Sequence, residues 1–452
     1  MTVRCSRLVR LLMLGLALIF SAAQPAAAQS LLRDSETELL FKEISTPLIE
    51  AAGLDPKSVK VVLLNDPEIN AFVAQGQVVY IHSGLLTQAD NVDQLQGVIA
   101  HELGHVAGGH AIRIYEGVKQ ATVITILSLV LGAAAVAAGA GEAGMGIMSA
   151  GQQAAMGQFL SFSRAQESTA DLAGASYLSK AGISGKGSLE FFKKLQNQEY
   201  RLAIYSKDSY DRTHPLSGER IATLTELYKK DPAWNKPTDP ALEARFERVK
   251  AKLIGFVTPK EAVRFYPESD QSIPAHYARA YAYHLGAYPD KANQEADALL
   301  ATAPNDPFFL ELKGQILLEG GKPKEAIPPL RKAVSAAPDM PMIAVMLGHA
   351  LIATEDAKNF TEAKQVLKNA VNRDNDNPFA WYQLGVVYDH DGDSARAALA
   401  TAERSNLTGE NKLALASAKM AMAGLPAGTP DYLRAQDIAM VSEIAVKKDK
   451  KK

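Results

Sequence analysis

Down the second half of this 452-residue chain, small and large side chains return with a period of 34 residues. Pro307, Gly314, Leu317, Ala326, Leu330, Ala333 and Pro338 take positions 1, 8, 11, 20, 24, 27 and 32 of one unit. The next unit starts at Pro341, carries Leu347, Gly348 and Leu351, and takes three extra residues before Ala363, Leu367 and Ala370. A third starts at Pro378 with Trp381, Leu384, Gly385, Tyr388 and Ala397, and a weaker one overlays residues 273–306 through Ala280, Tyr283, Ala292 and Pro304. A unit of this length holds a pair of helices: small residues let them approach, large ones fill the gap, and no pair buries its apolar face without a neighbour. The pattern therefore predicts three to four stacked helix pairs, an α-solenoid over residues 273–444.

This is the tetratricopeptide spacing. It accounts for less than half of the chain, and a composition of 47% hydrophobic and 22% charged residues suits a second folded core ahead of it. There, residues 35–53 have helical apolar spacing and stop at Ala52-Gly53. The β-branched runs Val59 to Leu64 and Val78 to His82 read as strands of a small sheet. Asp231-Pro232, Pro237 and Asp239-Pro240 mark a linker-like stretch. The expected organisation is α+β, mostly α: a first domain over 29–230, a linker with connecting helices over 231–272, the repeats, and a basic disordered tail over 445–452.

Residues 1–28 read as a secretory signal, with Arg4, Arg7 and Arg10 ahead of the apolar run Leu11 to Phe20 and Ala26-Ala27-Ala28 as a cleavage site. The single cysteine, Cys5, would leave with it, giving a secreted protein without disulfides, as expected of a sizeable periplasmic chain. Losing those arginines from the 48 basic residues leaves 45 against 50 acidic ones, a balance that offers nucleic acid no partner surface. Residues 120–141 carry no charge and run into a Gly-rich stretch. A lipid-dipping or lid hairpin, a buried core helix and a membrane span all remain open for 121–157.

The chemistry centres on His101-Glu102-Leu103-Gly104-His105. On a helix, His101 and His105 share a face one turn apart, so both imidazoles can reach one metal ion, with Glu102 beside the open position to accept a proton from water. Apolar Val98, Ile99 and Leu103 would bury this helix, and burying two histidines and a glutamate without a ligand is costly. A third histidine of the HExxHxxGxxH pattern is missing, since residue 111 is Ala111. His110 falls one residue out of register and points away from the ligand face if the helix continues, so it is expected behind the ligands or on the surface rather than on the metal. A downstream carboxylate is the remaining option: Glu167 and Asp171 sit four apart on a helix, the first placed to ligate and the second to hydrogen-bond a ligating histidine. No Gly-x-Ser-x-Gly elbow supports a serine nucleophile.

HELGH, followed by Glu167-Ser168-Thr169-Ala170-Asp171, preceded by Asn70-Ala71-Phe72 and Ser83-Gly84-Leu85-Leu86, and followed by Thr213-His214-Pro215 and Arg220-Ile221, resembles the HExxH gluzincin family of HtpX, the CaaX prenyl proteases and the periplasmic BepA. The signal and the repeats make it most similar to the BepA branch. The resemblance implies one zinc ion per chain on His101, His105 and Glu167, general base Glu102, and His214 as a fourth ligand that restrains activity. It further implies an endopeptidase acting on misfolded or stalled outer-membrane proteins, with the barrel assembly machinery as a partner of the repeats. A repeat-based chaperone or adaptor with a structural or latent metal site is the competing expectation. The strand Val78 to His82 is the expected open edge for an extended substrate.

Overall fold

A computed structural model describes residues 30–74, 76–138, 140–202, 214 and 218–449. The expected signal lies outside the described residues, as do Thr213 and Pro215.

Asp34 opens the first helix, Ser35–Ala51, by accepting the Thr37 amide, and Gly53 ends it in the left-handed region at φ 72°. Four strands follow or flank it: β1 (Leu31–Leu32), β2 (Lys60–Leu64), β3 (Ala71–Ala74) and β4 (Val78–His82), in the sheet order β1-β2-β4-β3. β4 pairs parallel with β2 and antiparallel with β3. The strand expected at the edge, Val78 to His82, is therefore interior. Its Val79 and Ile81 are fully buried, and the reversal at Gly76 leaves the shorter β3 as the outer strand.

The helix Val92–Ala107 starts at Asn91, whose side chain accepts the Gln94 amide, and packs on β3 and β4. Val92, Leu95, Val98, Ile99 and Leu103 join Phe41, Ile44, Leu48 and Phe191 in one core. Phe246, Val249 and Leu253 join it too, so the helix Pro240–Val257, expected within a linker, seals the first core instead. The apolar periodicity of that helix was masked by the Pro-rich stretch ahead of it, which caps the helix: Asp239 accepts the Ala241 amide with Pro240 in the first turn.

Beyond the HELGH helix the chain makes a helical hairpin from His110–Ala137 and the first half of Gly141–Ala181. Among the described residues only 11% of its most apolar window is buried, so it is not a core helix of the described fold.

Five helix pairs, rather than three to four, stack across the described residues from Ile273 to Asp449. The spacing rule operates as predicted at Gly314 and Gly348, where an added Cβ would come within 2.3 and 2.6 Å of Leu330 and Leu367. The fifth pair, Asn411–Gly424 with Pro430–Asp449, keeps small residues at Ala418 and Ala421, but its buried second-helix residues Ala435 and Ile438 come one residue later than the period counted from Asn411 assigns, where Arg434 and Asp437 stand, so a single 34-residue count does not find it. The tail expected to be disordered from residue 445 is helical through Asp449.

Candidate metal centre

His101 and His105 sit on one face of the Val92–Ala107 helix, and Glu167 and Asp171 sit four apart on the Gly141–Ala181 helix crossing it. The two helices touch at their backbones. A Cβ at Gly104 would lie 2.6 Å from the Ala170 carbonyl oxygen, and one at Gly174 3.0 Å from the Ala100 backbone. Small residues at this crossing bring the glutamate to the histidines.

Four buried side chains, His101, His105, Glu167 and His214, point ligand atoms to one place, all within 4.8 Å of one another. His101 Nε2 is 3.2 Å from His105 Nε2, 3.3 Å from His214 Nδ1 and 3.4 Å from Glu167 Oε2. His105 Nε2 is 3.4 Å and His214 Nδ1 3.2 Å from Glu167 Oε1. Ligands about 2.0–2.1 Å from a tetrahedral cation stand about 3.3 Å apart, so the donor set fits such an ion in both chemistry and spacing. Glu102 is fully buried, and among the described residues neither carboxylate oxygen has a hydrogen-bond donor; His214 Nε2 lies 3.5 Å away. A buried carboxylate in that condition is costly unless a cation or its water sits beside it.

The surroundings orient the ligands. Asp171 Oδ1 lies 3.0 Å from His101 Nδ1, leaving Nε2 to face the cluster. Arg220, on the helix Gly218–Lys229, donates to both Asp171 oxygens at 2.6 and 2.8 Å and reaches Glu167 at 3.2 Å. Burial alone would lower the His101 imidazole, but Asp171 and Glu167 outweigh it and push it up to about 10. Burial would likewise raise Glu167, yet His101, His105 and His214 hold it well below the usual carboxylate range.

His110 stands behind a histidine of the cluster, the first of its two expected places, but reaches it by a different route. The helix does not continue: it ends at Gly108, Gly109 adopts φ 62°, and a new helix begins at His110. The ring thus folds back under the site, its Nδ1 2.9 Å from His105 Nδ1. Burial first, and then His105 and Arg113, push it down to about 4, so it is a neutral acceptor at neutral pH. With His105 Nε2 turned to a cation, its Nδ1–H donates to His110. The Gly108-Gly109 pair was the signal for this reversal. Arg220 was visible only as part of a motif, because its partners lie 49 residues away.

His214 is buried in the cluster, and its Nε2 also contacts the Ala71 carbonyl oxygen at 3.2 Å. His82 N–H donates to Asn70 O, so by antiparallel alternation the Ala71 carbonyl faces outward from β3. The open edge beside the metal cluster is therefore β3, and His214 covers part of it.

Residues 35–228 match the family described as Peptidase family M48. The chain is 25% identical over 341 residues to the beta-barrel assembly-enhancing protease of Yersinia pestis, covering 74% of this chain and 69% of that protein. It is 29% identical over 282 residues to the protein of the same description from Escherichia coli strain K12, covering 60% of this chain and 56% of that protein. The match thus spans little more than half of the second relative's length. Among solved structures, the crystal structure of YrrB, a TPR protein with an unusual peptide-binding site, is similar over 39% of this chain and 92% of its own, with 21% identity and a TM-score of 0.32.

Proposed function

Residues 35–228 form a domain of peptidase family M48 and make the chain a metalloendopeptidase; from that premise we propose a periplasmic zinc enzyme that cleaves misfolded or stalled outer-membrane proteins. One observation carries the reading: two imidazoles and a distant glutamate converge at tetrahedral spacing around a buried carboxylate that has no donor among the described residues. His101, His105 and Glu167 would hold the ion, one per chain. Zinc, when bound, supplies the charge that acidifies water and polarises the scissile carbonyl. Glu102 takes the proton from the attacking water and passes it to the leaving amine nitrogen. Asp171 keeps the His101 ring turned toward the cluster, and Arg220 steadies Asp171 and Glu167 together. An extended client would lie along β3, where the outward Ala71 carbonyl accepts a backbone N–H. The description shared by the relatives, beta-barrel assembly-enhancing protease, supports outer-membrane barrels as the client class. Recruitment of clients or of the barrel assembly machinery falls to the repeats, whose Met342, Met346 and Phe379 meet Leu32 and Phe256 across a cleft of about 270 Å³.

A second reading, an adaptor with a latent or structural site, has His214 in its favour, because a fourth protein donor is the mark of a closed site. Paired variants separate the two. Under the peptidase reading, Glu102→Gln keeps stoichiometric zinc, loses cleavage of an unfolded barrel protein by at least ~100-fold, and captures clients intact. His214→Ala raises cleavage by freeing one position and the β3 edge. If Glu102→Gln cleaves as well as the parent, or His214→Ala stays inert with zinc bound, the adaptor reading takes its place.

A further inference from the structure

The hairpin between His110 and Arg164 projects an apolar surface that no other described residue covers. Ile126, Leu127, Val130 and Leu131 are each more than half exposed along one face of their helix, Leu129 and Val136 are exposed on the opposite face, and Met145 and Met156 are exposed on the returning helix. A helix apolar on all sides suits hydrocarbon rather than one protein groove. The two helices meet through small residues. A Cβ on Gly144 would strike the Gly132 carbonyl at 2.5 Å, and one on Gly151 the Ser128 side chain at 1.9 Å, the close backbone approach that pairs helices where water provides no drive. Thr125 and Ser128 return their hydroxyls to carbonyls of their own helix, at 3.0 and 2.8 Å, which satisfies both donors without water.

Charge and polarity set the depth. No charged residue lies between Lys119 and Glu142 or between Glu142 and Arg164. On the returning helix, exposed Gln152 and Gln153 interrupt the apolar surface, and Gln158 bonds Gln120 across the pair at 3.1 Å. Gln152 is 11 residues from Gly141, about 16 Å along the axis. That is the hydrocarbon depth of one leaflet, about half of a 30 Å core. Passing further would bury the glutamines; at this depth Glu142, beside the turn, is the one charge carried into the hydrocarbon, a cost that the exposed leucines, isoleucines and valines of the facing helix offset.

We propose that this hairpin is a one-leaflet anchor: its tip, residues 123–151, inserts into a phospholipid monolayer face and stops at the glutamine belt. Exposed Arg113, Lys119 and Arg164 at its base, against Glu116, favour anionic headgroups. Glu167 lies on the same continuous helix, 26 residues from Gly141 or about 39 Å. The metal cluster is thereby held some 20 Å above the hydrocarbon boundary, where a barrel strand that has not entered the bilayer would emerge.

The test uses the full chain without its leader, floated with vesicles of phosphatidylethanolamine and phosphatidylglycerol. The parent floats, and the double variant Leu127→Asp with Val130→Asp loses flotation by at least ~10-fold while cleaving a soluble unfolded substrate at the parent rate. A fluorophore on Val136→Cys is quenched by bromines deep in the acyl chains, and one on Gln153→Cys only by bromines near the headgroups. Absence of flotation, a dimer through the hairpin in lipid-free solution, or a tip thiol reachable from the far side of the vesicle each overturns the proposal. Flotation is read without cleavage, so its failure is separate from a failure of the peptidase reading.

Discussion

Arg220 is the side chain on which the proposed metal centre most depends without itself being a donor. It lies buried against two carboxylates, giving a forked pair of hydrogen bonds to Asp171 and a single contact to Glu167. Removing it leaves two buried anions one helical turn apart with less compensation. Breaking a buried pair from one side costs about 3–5 kcal/mol, far above a surface pair. Arg220→Leu should therefore lower Tm and weaken metal binding by about 10–100-fold, read by competition against a chelator. Arg220→Lys keeps the charge but not the fork, and should recover stability more than affinity. Equal affinity in all three proteins would mean that the carboxylates hold their positions without the arginine.

At the level of elements, what was legible in the sequence was what nearest neighbours along a helix decide. The HELGH turn and the Gly-to-Leu complementarity of the repeats are local patterns, and both stand. What was not legible depended on distant partners. β4 looked like an edge until β2, arriving from the other side, paired with it, and the helix Pro240–Val257 looked like a linker until its phenylalanine entered the first core. Glu311 belongs to the same class. Its helix, Pro307–Glu319, reads as an ordinary repeat helix, but the repeat array turns its carboxyl into the cleft beside Lys252 and Tyr281. Burial, with Asp34 and Glu36 nearby, pushes it up to about 8 although Lys252 pulls the other way. Because the folded state holds this proton more tightly than the unfolded chain, stability falls as pH rises between about 4.5 and 8 and levels off above. Glu311→Gln removes that loss. Its Tm should match the parent near about pH 5 and exceed it near about pH 9, and a gain of the same size at both would show that the carboxyl does not titrate in this window.

On the scale of the whole molecule, the question is what fixes the repeat array to the peptidase unit. Besides Arg33 with Asp374 at 3.0 Å, two further sets of ion pairs cross that boundary, and magnitude separates them. Lys60 with Asp376 at 3.3 Å is more than half exposed on both sides, worth about 0–1 kcal/mol. The other set is buried: Arg248 reaches Glu36 at 2.7 Å and Asp306 at 2.8 Å, Lys252 bonds Asp34, and Tyr277 donates to Glu36 at 2.6 Å. Arg248 thus joins the first helix of the peptidase core to the cap of the second helix pair, since Asp306 also accepts the Phe308 amide. Its guanidinium also lies 4.4 Å over the Phe309 ring. If this cluster is what makes two cores unfold as one, Arg248→Met should split a single thermal transition into two and open the segment near residue 258 to protease. Lys60→Ala should shift Tm by less than the width of the transition. Should Arg248→Met still unfold in one step, the apolar contacts of Pro240–Val257 with both units suffice to couple them, and the ion pairs only fix the angle at which the repeats meet the active site.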